Sequence, residues 1–285
     1  IDQVISALQA LDRDMAALEA LEEKADDLIA VQQNIEKYGV TAAVVDLVGP
    51  AMEEYGVKLT TADASIEGIK ETLINTLETI IRMIKELFDK MFDQVSRGMR
   101  YLKSLGTYEL PTDPAVRSKI LSATVNWLPV AVSDEVEAVV TSPAIMLRAI
   151  ESVKPDLPML GQMKAQSMLN SATKATEKVA TIVKEHRGSF SLEDAIGVTG
   201  VRQISTATYK IGESIQKYTT EFRKAEQKIH STMRAVKSGK IEEKFDDYVG
   251  GMKRLLGHFR TSIGDCRICF VSNVSVLKKL AGSDK

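Results

Sequence analysis

The chain has 285 residues, of which 44% are hydrophobic and 27% are charged, and its formal net charge is -2. This composition is typical of a folded globular protein and excludes a disordered or collagen-like chain. Two cysteines and three histidines are too few for a disulfide framework or a histidine-rich metal array.

The charge is distributed unevenly along the chain. Residues 1–54 carry 12 acidic and 3 basic residues, a net charge of -9, and residues 55–160 carry 14 and 12, a net charge of -2. Residues 161–285 carry 13 acidic and 22 basic residues, a net charge of +9. A basic segment of this kind can face nucleic acid, an acidic partner, or the acidic first segment of the same or a neighbouring chain. The sequence leaves these alternatives open.

The amino-terminal part begins with a long amphipathic helix. Apolar residues from Val4 to Leu18 recur at spacings of four and three, and the helix continues to Tyr38, where Gly39 is expected to provide a left-handed cap. A short helical segment is predicted at 41–48, ending at Gly49-Pro50.

A second long helix is predicted by two adjacent apolar stripes, after a loop at 60–65. One stripe contains Ile69, Leu73, Leu77, Ile80, Ile84, Leu87 and Met91, and the other contains Ile74, Ile81 and Phe88. Because two stripes make a wide buried face, this helix is expected to lie at the centre of its bundle.

The middle of the chain is rich in proline. Six of the seven prolines fall between residues 106 and 158, which predicts short elements in a region that connects two bundles. Helices are predicted at about 114–126 and 134–151, with 127–132 extended. The longest uncharged stretch, 120–133, is shorter than the roughly 18 apolar residues that a membrane helix needs, so no stable membrane span is predicted.

The carboxy-terminal part contains the clearest helical signal. A helix that ends near His186 precedes a near-heptad series, which predicts a coiled-coil-like rod of roughly 55 Å over 200–236. Its apolar residues are Ile204, Ile211, Ile215, Tyr218, Phe222, Ala225, Ile229, Met233 and Val236. Two more helices are predicted, at about 240–261 and 265–281, with Gly250-Gly251 as an interruption.

These elements predict an all-α, elongated protein made of helical bundles. The predicted parts are an amino-terminal helical bundle at 1–105, a proline-rich connecting region with short helices at 106–158, and a basic carboxy-terminal helical bundle at 159–285.

The candidate chemistry is limited to a few motifs. Cys266 and Cys269 have the C-x-x-C spacing of a zinc half-site or a redox pair, but neither a second ligand pair nor a βαβ setting accompanies them. We interpret them as small buried residues of a helix. Since no nucleophile elbow and no phosphate-binding glycine motif occurs, we assign no catalytic residue, metal ligand or cofactor, and we expect a non-enzymatic protein.

The densest group of basic residues, called the basic set below, lies near the carboxy terminus. It consists of Lys253, Arg254, Arg260, Arg267, Lys278 and Lys279. These residues are candidate contacts to DNA or to an acidic partner, although a solvated helical face explains them equally well. Contacts to DNA phosphates would be independent of base sequence and would weaken steeply with salt.

A family resemblance covers about the first 105 residues. It rests on the acidic, leucine-rich segment 16–22, the break at 35–41, the short helix before Gly49-Pro50, and the amphipathic helix that contains 83–88. This pattern resembles the internal head proteins, or prohead core and inner-body proteins, of large tailed bacteriophages. The resemblance implies a virion protein made in the bacterial cytoplasm and packed inside the phage head, in some cases ejected with the DNA. The implied partners are other virion proteins, further copies of the chain and packaged DNA.

Two further expectations accompany this interpretation. Ile1 in place of methionine favours a mature product, trimmed by a prohead protease. The alternative function is a membrane-active helical protein, either pore-forming or an ejection protein, whose amphipathic helices refold against a bilayer. A virion component should form ordered protein contacts, whereas a pore former should release a long apolar hairpin.

Overall fold

The computed structural model describes residues 1–105, 110–129, 136–152, 159–237 and 245–281. These residues form an all-α fold with one very small sheet, which confirms the predicted fold class. The helices are α1 (Asp2–Tyr38), α2 (Ala42–Glu54), α3 (Ala62–Leu105), α4 (Pro114–Leu121), α5 (Val136–Ser152), α6 (Met159–His186), α7 (Leu192–Lys237) and α8 (Phe245–Leu280). The strands are β1 (Thr124–Trp127) and β2 (Gly188–Ser191).

Helix α1 forms as its apolar spacing predicts. Val4, Leu8, Leu11 and Leu18 are buried, since spacings of three and four place them on one face. The helix ends at Tyr38, and Gly39 adopts a φ of 73° that most other residues avoid. Helix α2, by contrast, does not end at Gly49-Pro50 but continues through the proline to Glu54.

Helix α8, which packs against α1, α3, α5, α6 and α7, is the central helix, and not α3 as predicted; helix α3 has the wide buried face that was expected. Every residue of its two apolar stripes is buried, and it packs against α1, α7 and α8. Phe88 of α3 meets Phe222 of α7 and Phe259 of α8, with ring centroids 5.2 Å apart in each pair. With 44 residues, α3 is about 66 Å long, whereas a compact, spherical chain of 285 residues would be only about 50 Å in diameter. The molecule is therefore elongated.

The helices of the two predicted bundles share one hydrophobic core. Helices α1 and α3 pack against α8, and α3 also packs against α7. Helix α5, from the predicted connecting region, packs against α6, α7 and α8. The physical reason is the width of the apolar face of α3, which α1 alone does not cover. The predicted boundaries at 105 and 159 therefore do not separate two cores.

The middle region contains a strand that the sequence analysis placed in a helix. The helix predicted at 114–126 ends at Leu121, because Thr124–Trp127 pairs antiparallel with Gly188–Ser191, with Val125 opposite Phe190. The partner strand is distant in sequence, so local patterns do not reveal the pairing. Of the segment 127–132, which was predicted to be extended, only Trp127 belongs to β1. Residues 130–132 lie outside the residues that the structure describes.

The last two long helices agree with their predicted bounds only in part. Helix α7 consists of two helical parts joined at Gly200, where φ is 66° and ψ is 147°, so the second part begins at the predicted start of the rod at 200 and the first part, from Leu192, was not predicted. Helix α8 runs without interruption from Phe245 to Leu280, so the predicted break at 262–264 is wrong. Gly250 and Gly251 lie inside it with negative φ angles, because core contacts on both sides favour one continuous helix. Residues 240–244 of the predicted helix are outside the described part.

No helix among the described residues is long and apolar enough to cross a membrane.

Candidate functional site

The basic set lies mainly on the face of α8 that packs against α1. The two helices are antiparallel, since Lys253 pairs with Asp26 near one end and Lys278 pairs with Asp2 near the other. Lys253, Arg260 and Arg267 are spaced by seven residues, which is about two helical turns and places them on one face. We call these ion pairs the α1–α8 charge seam.

Arg260 forms the most extensive contacts of the seam. Its Nε and one terminal nitrogen donate to the two carboxylate oxygens of Glu22, both at 3.1 Å, and its other terminal nitrogen donates to Glu19 at 2.9 Å. The Arg260 side chain is only 7% exposed. Gly257 leaves room for this arrangement, because a Cβ atom there would lie 3.2 Å from a Glu22 oxygen. Planar, two-point pairing of this kind is the geometry that arginine provides and lysine does not.

Arg267 is buried at the other end of the seam. One terminal nitrogen donates to the backbone carbonyl of Leu8 and the other pairs with Asp12. The Nε of Arg267 is buried and has no hydrogen-bond partner among the described residues. The guanidinium is therefore only partly satisfied by the protein.

The remaining two members of the basic set have no ion pair with α1 in the described structure. Lys279 is exposed, and its Nζ donates to the backbone carbonyl of Thr124 at 2.6 Å. Arg254 is exposed, and its Nε donates to the carbonyl of Gly250 at 3.3 Å. Four of the six predicted residues are thus neutralised by the acidic first segment of the same chain, one of the alternatives that the sequence left open. Contact between this set and DNA stays a prediction.

The acidic partners were not singled out from the sequence. They are Asp2, Asp12, Glu19, Glu22 and Asp26 of α1. The seven-residue spacing of Lys253, Arg260 and Arg267, together with the excess of acidic residues in 1–54, is the signal that could have identified them. At the end of the charge seam formed by Asp2 and Lys278, the hydrogen bond from Lys278 lowers the pKa of the Asp2 carboxyl.

A cavity of about 560 Å³ lies beside the seam, between β1 and α8. Its basic side chains come from Arg187, Arg267 and Lys279, and Asp12 is the acidic residue of its lining. The sequence analysis did not find this cavity, because β1 and Arg187 are brought to α8 only by the fold.

The two cysteines are buried in α8, as the sequence analysis expected. Cys266 Sγ donates to the carbonyl of Val139 at 3.4 Å. Burial raises the pKa of both thiols well above the usual range, so both remain protonated at neutral pH. A protonated, buried thiol is neither a nucleophile nor a metal ligand. In the described part of the chain, no three His, Cys, Asp or Glu side chains form a group that could hold a metal ion.

Asp265 is a buried acid that sequence reasoning missed. It precedes Cys266 in α8, and its Oδ2 has no hydrogen-bond partner among the described residues. Burial raises the pKa of its carboxyl to about 7. A charged residue next to two cysteines is ordinary in sequence, so nothing local marked it as buried.

No protein-family model, no curated protein and no solved structure matches this chain.

Proposed function

We propose that this chain is a non-enzymatic internal head protein of a large tailed bacteriophage, packed inside the capsid with other virion proteins and further copies of itself. The α1–α8 charge seam is the observation that carries the proposal. It brings the segment of charge -9 against the segment of charge +9, and the whole chain has a net charge of only -2. Nearly neutral, elongated molecules pack side by side with little electrostatic repulsion. This property suits a protein that is packed at high density inside a capsid.

The membrane-active alternative has less support. Its best candidate for release is the uncharged stretch 120–133, and the described part of that stretch is held against α8. Trp127 Nε1 donates to the side-chain oxygen of Asn273 at 3.1 Å, and the Leu128 amide donates to the hydroxyl of Ser272 at 2.9 Å. Trp127 and Leu128 are also buried in the core. Release would therefore break both polar and apolar contacts.

Mass spectrometry of purified particles of the phage that encodes this sequence tests the proposal. We expect peptides from the chain in DNA-filled virions at many copies per particle. The infected-cell lysate, from which particles have been removed, is the control. Presence in that lysate together with absence from the purified particles would contradict the proposal.

Dye release from lipid vesicles tests the alternative directly. The folded protein should release no dye from vesicles that contain anionic lipid, because the described apolar segments are buried. Concentration-dependent release would favour the membrane-active function over the structural one.

A further inference from the structure

The cavity between β1 and α8 has the size and the mixed lining of a small-molecule site. Its volume of about 560 Å³ lies within the range of about 300–1,000 Å³ that is typical of ligand pockets. Apolar walls come from both elements, and polar side chains lie among them. The apolar residues are Val125, Trp127, Leu128, Ile268 and Val271.

The charge of the lining selects the class of ligand. Three basic residues, Arg187, Arg267 and Lys279, and one acidic residue, Asp12, line the cavity, so the lining carries a net charge of about +2 at neutral pH. Arg187 is exposed and has no carboxylate partner in the part of the chain that the structure describes. A phosphate monoester carries about -1.5 to -2 at this pH and would balance the charge.

The hydrogen-bond donors of the cavity are not all used by the protein. Arg267 is 5% exposed, and its buried Nε has no partner among the described residues. An unsatisfied donor on a buried charged group is unfavourable, and the Arg267 side chain supplies a positive charge at the wall of the cavity. Lys279 donates to the carbonyl of Thr124, and its ammonium group has three protons in all. Two of these protons are available to a ligand.

We propose that this cavity binds a small, soluble organic phosphate monoester, with the phosphate between Arg187, Arg267 and Lys279 and the organic part against β1. This binding goes beyond the proposed structural function. The same phosphate chemistry occurs in the headgroup of phosphatidic acid. We choose the soluble ester, because the volume of about 560 Å³ is sufficient for a mononucleotide.

The test uses the single tryptophan of the chain, which lines the cavity at position 127. Trp127 fluorescence of the intact protein is titrated with AMP at constant ionic strength, with excitation at the red edge of the indole band. Adenosine, which lacks the phosphate, is the control ligand. We expect a saturable change with AMP, competition by inorganic phosphate, and no saturable change with adenosine. Equal responses to AMP and adenosine, or no response to AMP, would overturn the proposal.

Variants locate the bound phosphate. Arg187→Gln and Lys279→Gln should each weaken AMP binding about tenfold or more, since a hydrogen bond to a charged group is worth at least that factor. Arg254→Gln, an exposed arginine of the same helix outside the cavity lining, should leave the affinity unchanged. Unchanged affinity in both cavity variants would overturn the proposal, as would an equal loss in the control. The titration of the unmodified chain does not depend on how well any variant folds.

A second experiment, with lipid vesicles, distinguishes a soluble phosphate ester from a lipid headgroup as the ligand. Phosphatidylcholine vesicles are compared with and without phosphatidic acid, and Trp127 fluorescence is again the readout. A response to AMP and none specific to phosphatidic acid supports the soluble ester. A response to phosphatidic acid without one to AMP contradicts it.

Discussion

Arg260 and Asp265 lie close together on α8 yet have opposite environments. Arg260 is buried with two carboxylate partners, Glu19 and Glu22, whereas the Oδ2 of Asp265 is buried with no partner among the described residues. The two carboxylates offset the cost of removing the Arg260 charge from water. The cost of burying a charged Asp265 is left mostly uncompensated. These two residues therefore give opposite predictions for stability.

Loss of the Arg260 contacts should destabilise the protein. Arg260→Gln keeps a polar side chain but removes the two-point pairing with Glu22, so we expect the free energy of unfolding to fall by about 2 kcal/mol. Arg254→Gln is the matched control and should change it by less than about 0.5 kcal/mol. Urea unfolding followed by circular dichroism measures both. Equal small effects would show that the seam contributes little to stability.

Asp265 should make stability decrease as the pH rises. The pKa of its carboxyl is about 7 in the folded protein and 3.8 as the ordinary value. Between these values the folded protein binds more protons than the unfolded chain, so the free energy of unfolding falls from about pH 4 to pH 7. Asp265→Asn removes this loss and should stabilise the protein at pH 8 by up to about 4 kcal/mol.

The measurement is urea unfolding of the wild type and Asp265→Asn at pH 5 and pH 8. The gain should be much smaller at pH 5, where the wild-type carboxyl is mainly protonated when folded. His258 is present in both proteins, so its contribution cancels in the difference. Asp93→Asn, at an exposed position of α3, should show no such pH-dependent gain. An Asp265→Asn gain that is the same at both pH values would refute the assignment.

At the scale of elements, sequence periodicity and burial agree closely. The predicted stripes of α3 are buried throughout, and so are the apolar positions of α7 from Ile204 to Met233. Val236, the last predicted member, has a side chain outside the described part. The carboxy-terminal ends predicted for α1 and α6 also match the structure. The break predicted in α8 does not, because α8 is continuous in the folded protein.

Phe222 should be a major contributor to the stability of the core. It is fully buried and contacts the rings of Phe88 and Phe259 from two other helices. Phe222→Ala should leave a cavity and lower the free energy of unfolding by about 3 to 5 kcal/mol. Leu47→Ala, at a position that is 83% exposed, is the control and should have almost no effect. An unchanged urea midpoint for Phe222→Ala would contradict the packing of α7 against α3 and α8.

At the scale of the whole molecule, the charge polarity of the sequence is largely cancelled by the fold. The first segment does not project away from the last one, because α1 and α8 lie antiparallel with Lys253, Arg260, Arg267 and Lys278 paired to α1. The basic partners are the more buried ones. The side chains of Asp12 and Asp26 are 70% and 63% exposed, and those of Arg267 and Lys253 are 6% and 10% exposed. The face of the seam that meets solvent is therefore acidic.

The exposed carboxylates of Asp12 and Asp26 predict that the intact protein binds DNA weakly. Fluorescence anisotropy with the intact chain and a duplex should show no saturable binding at about 50 mM salt, a condition under which even a few phosphate contacts give strong binding. A variant in which Asp12 and Asp26 are both changed to asparagine is the comparison. It should bind more tightly, because it removes two exposed negative charges that repel the DNA phosphates. Tight, salt-sensitive binding by the wild type would show that the rest of the basic set contacts DNA.

The sequence by itself determined the fold class, the wide buried face of α3 and the buried cysteines. Each follows from local periodicity, because one buried helical face imposes its spacing on the residues of that helix. The tertiary structure alone decided that one core replaces two bundles, that Thr124–Trp127 pairs with Gly188–Ser191, and that the basic residues of α8 meet the acidic residues of α1. It also decided the burial of Asp265 and the cavity beside Trp127. These features depend on contacts between residues far apart in the chain, and a local pattern does not specify which distant partner covers an apolar face or neutralises a charge.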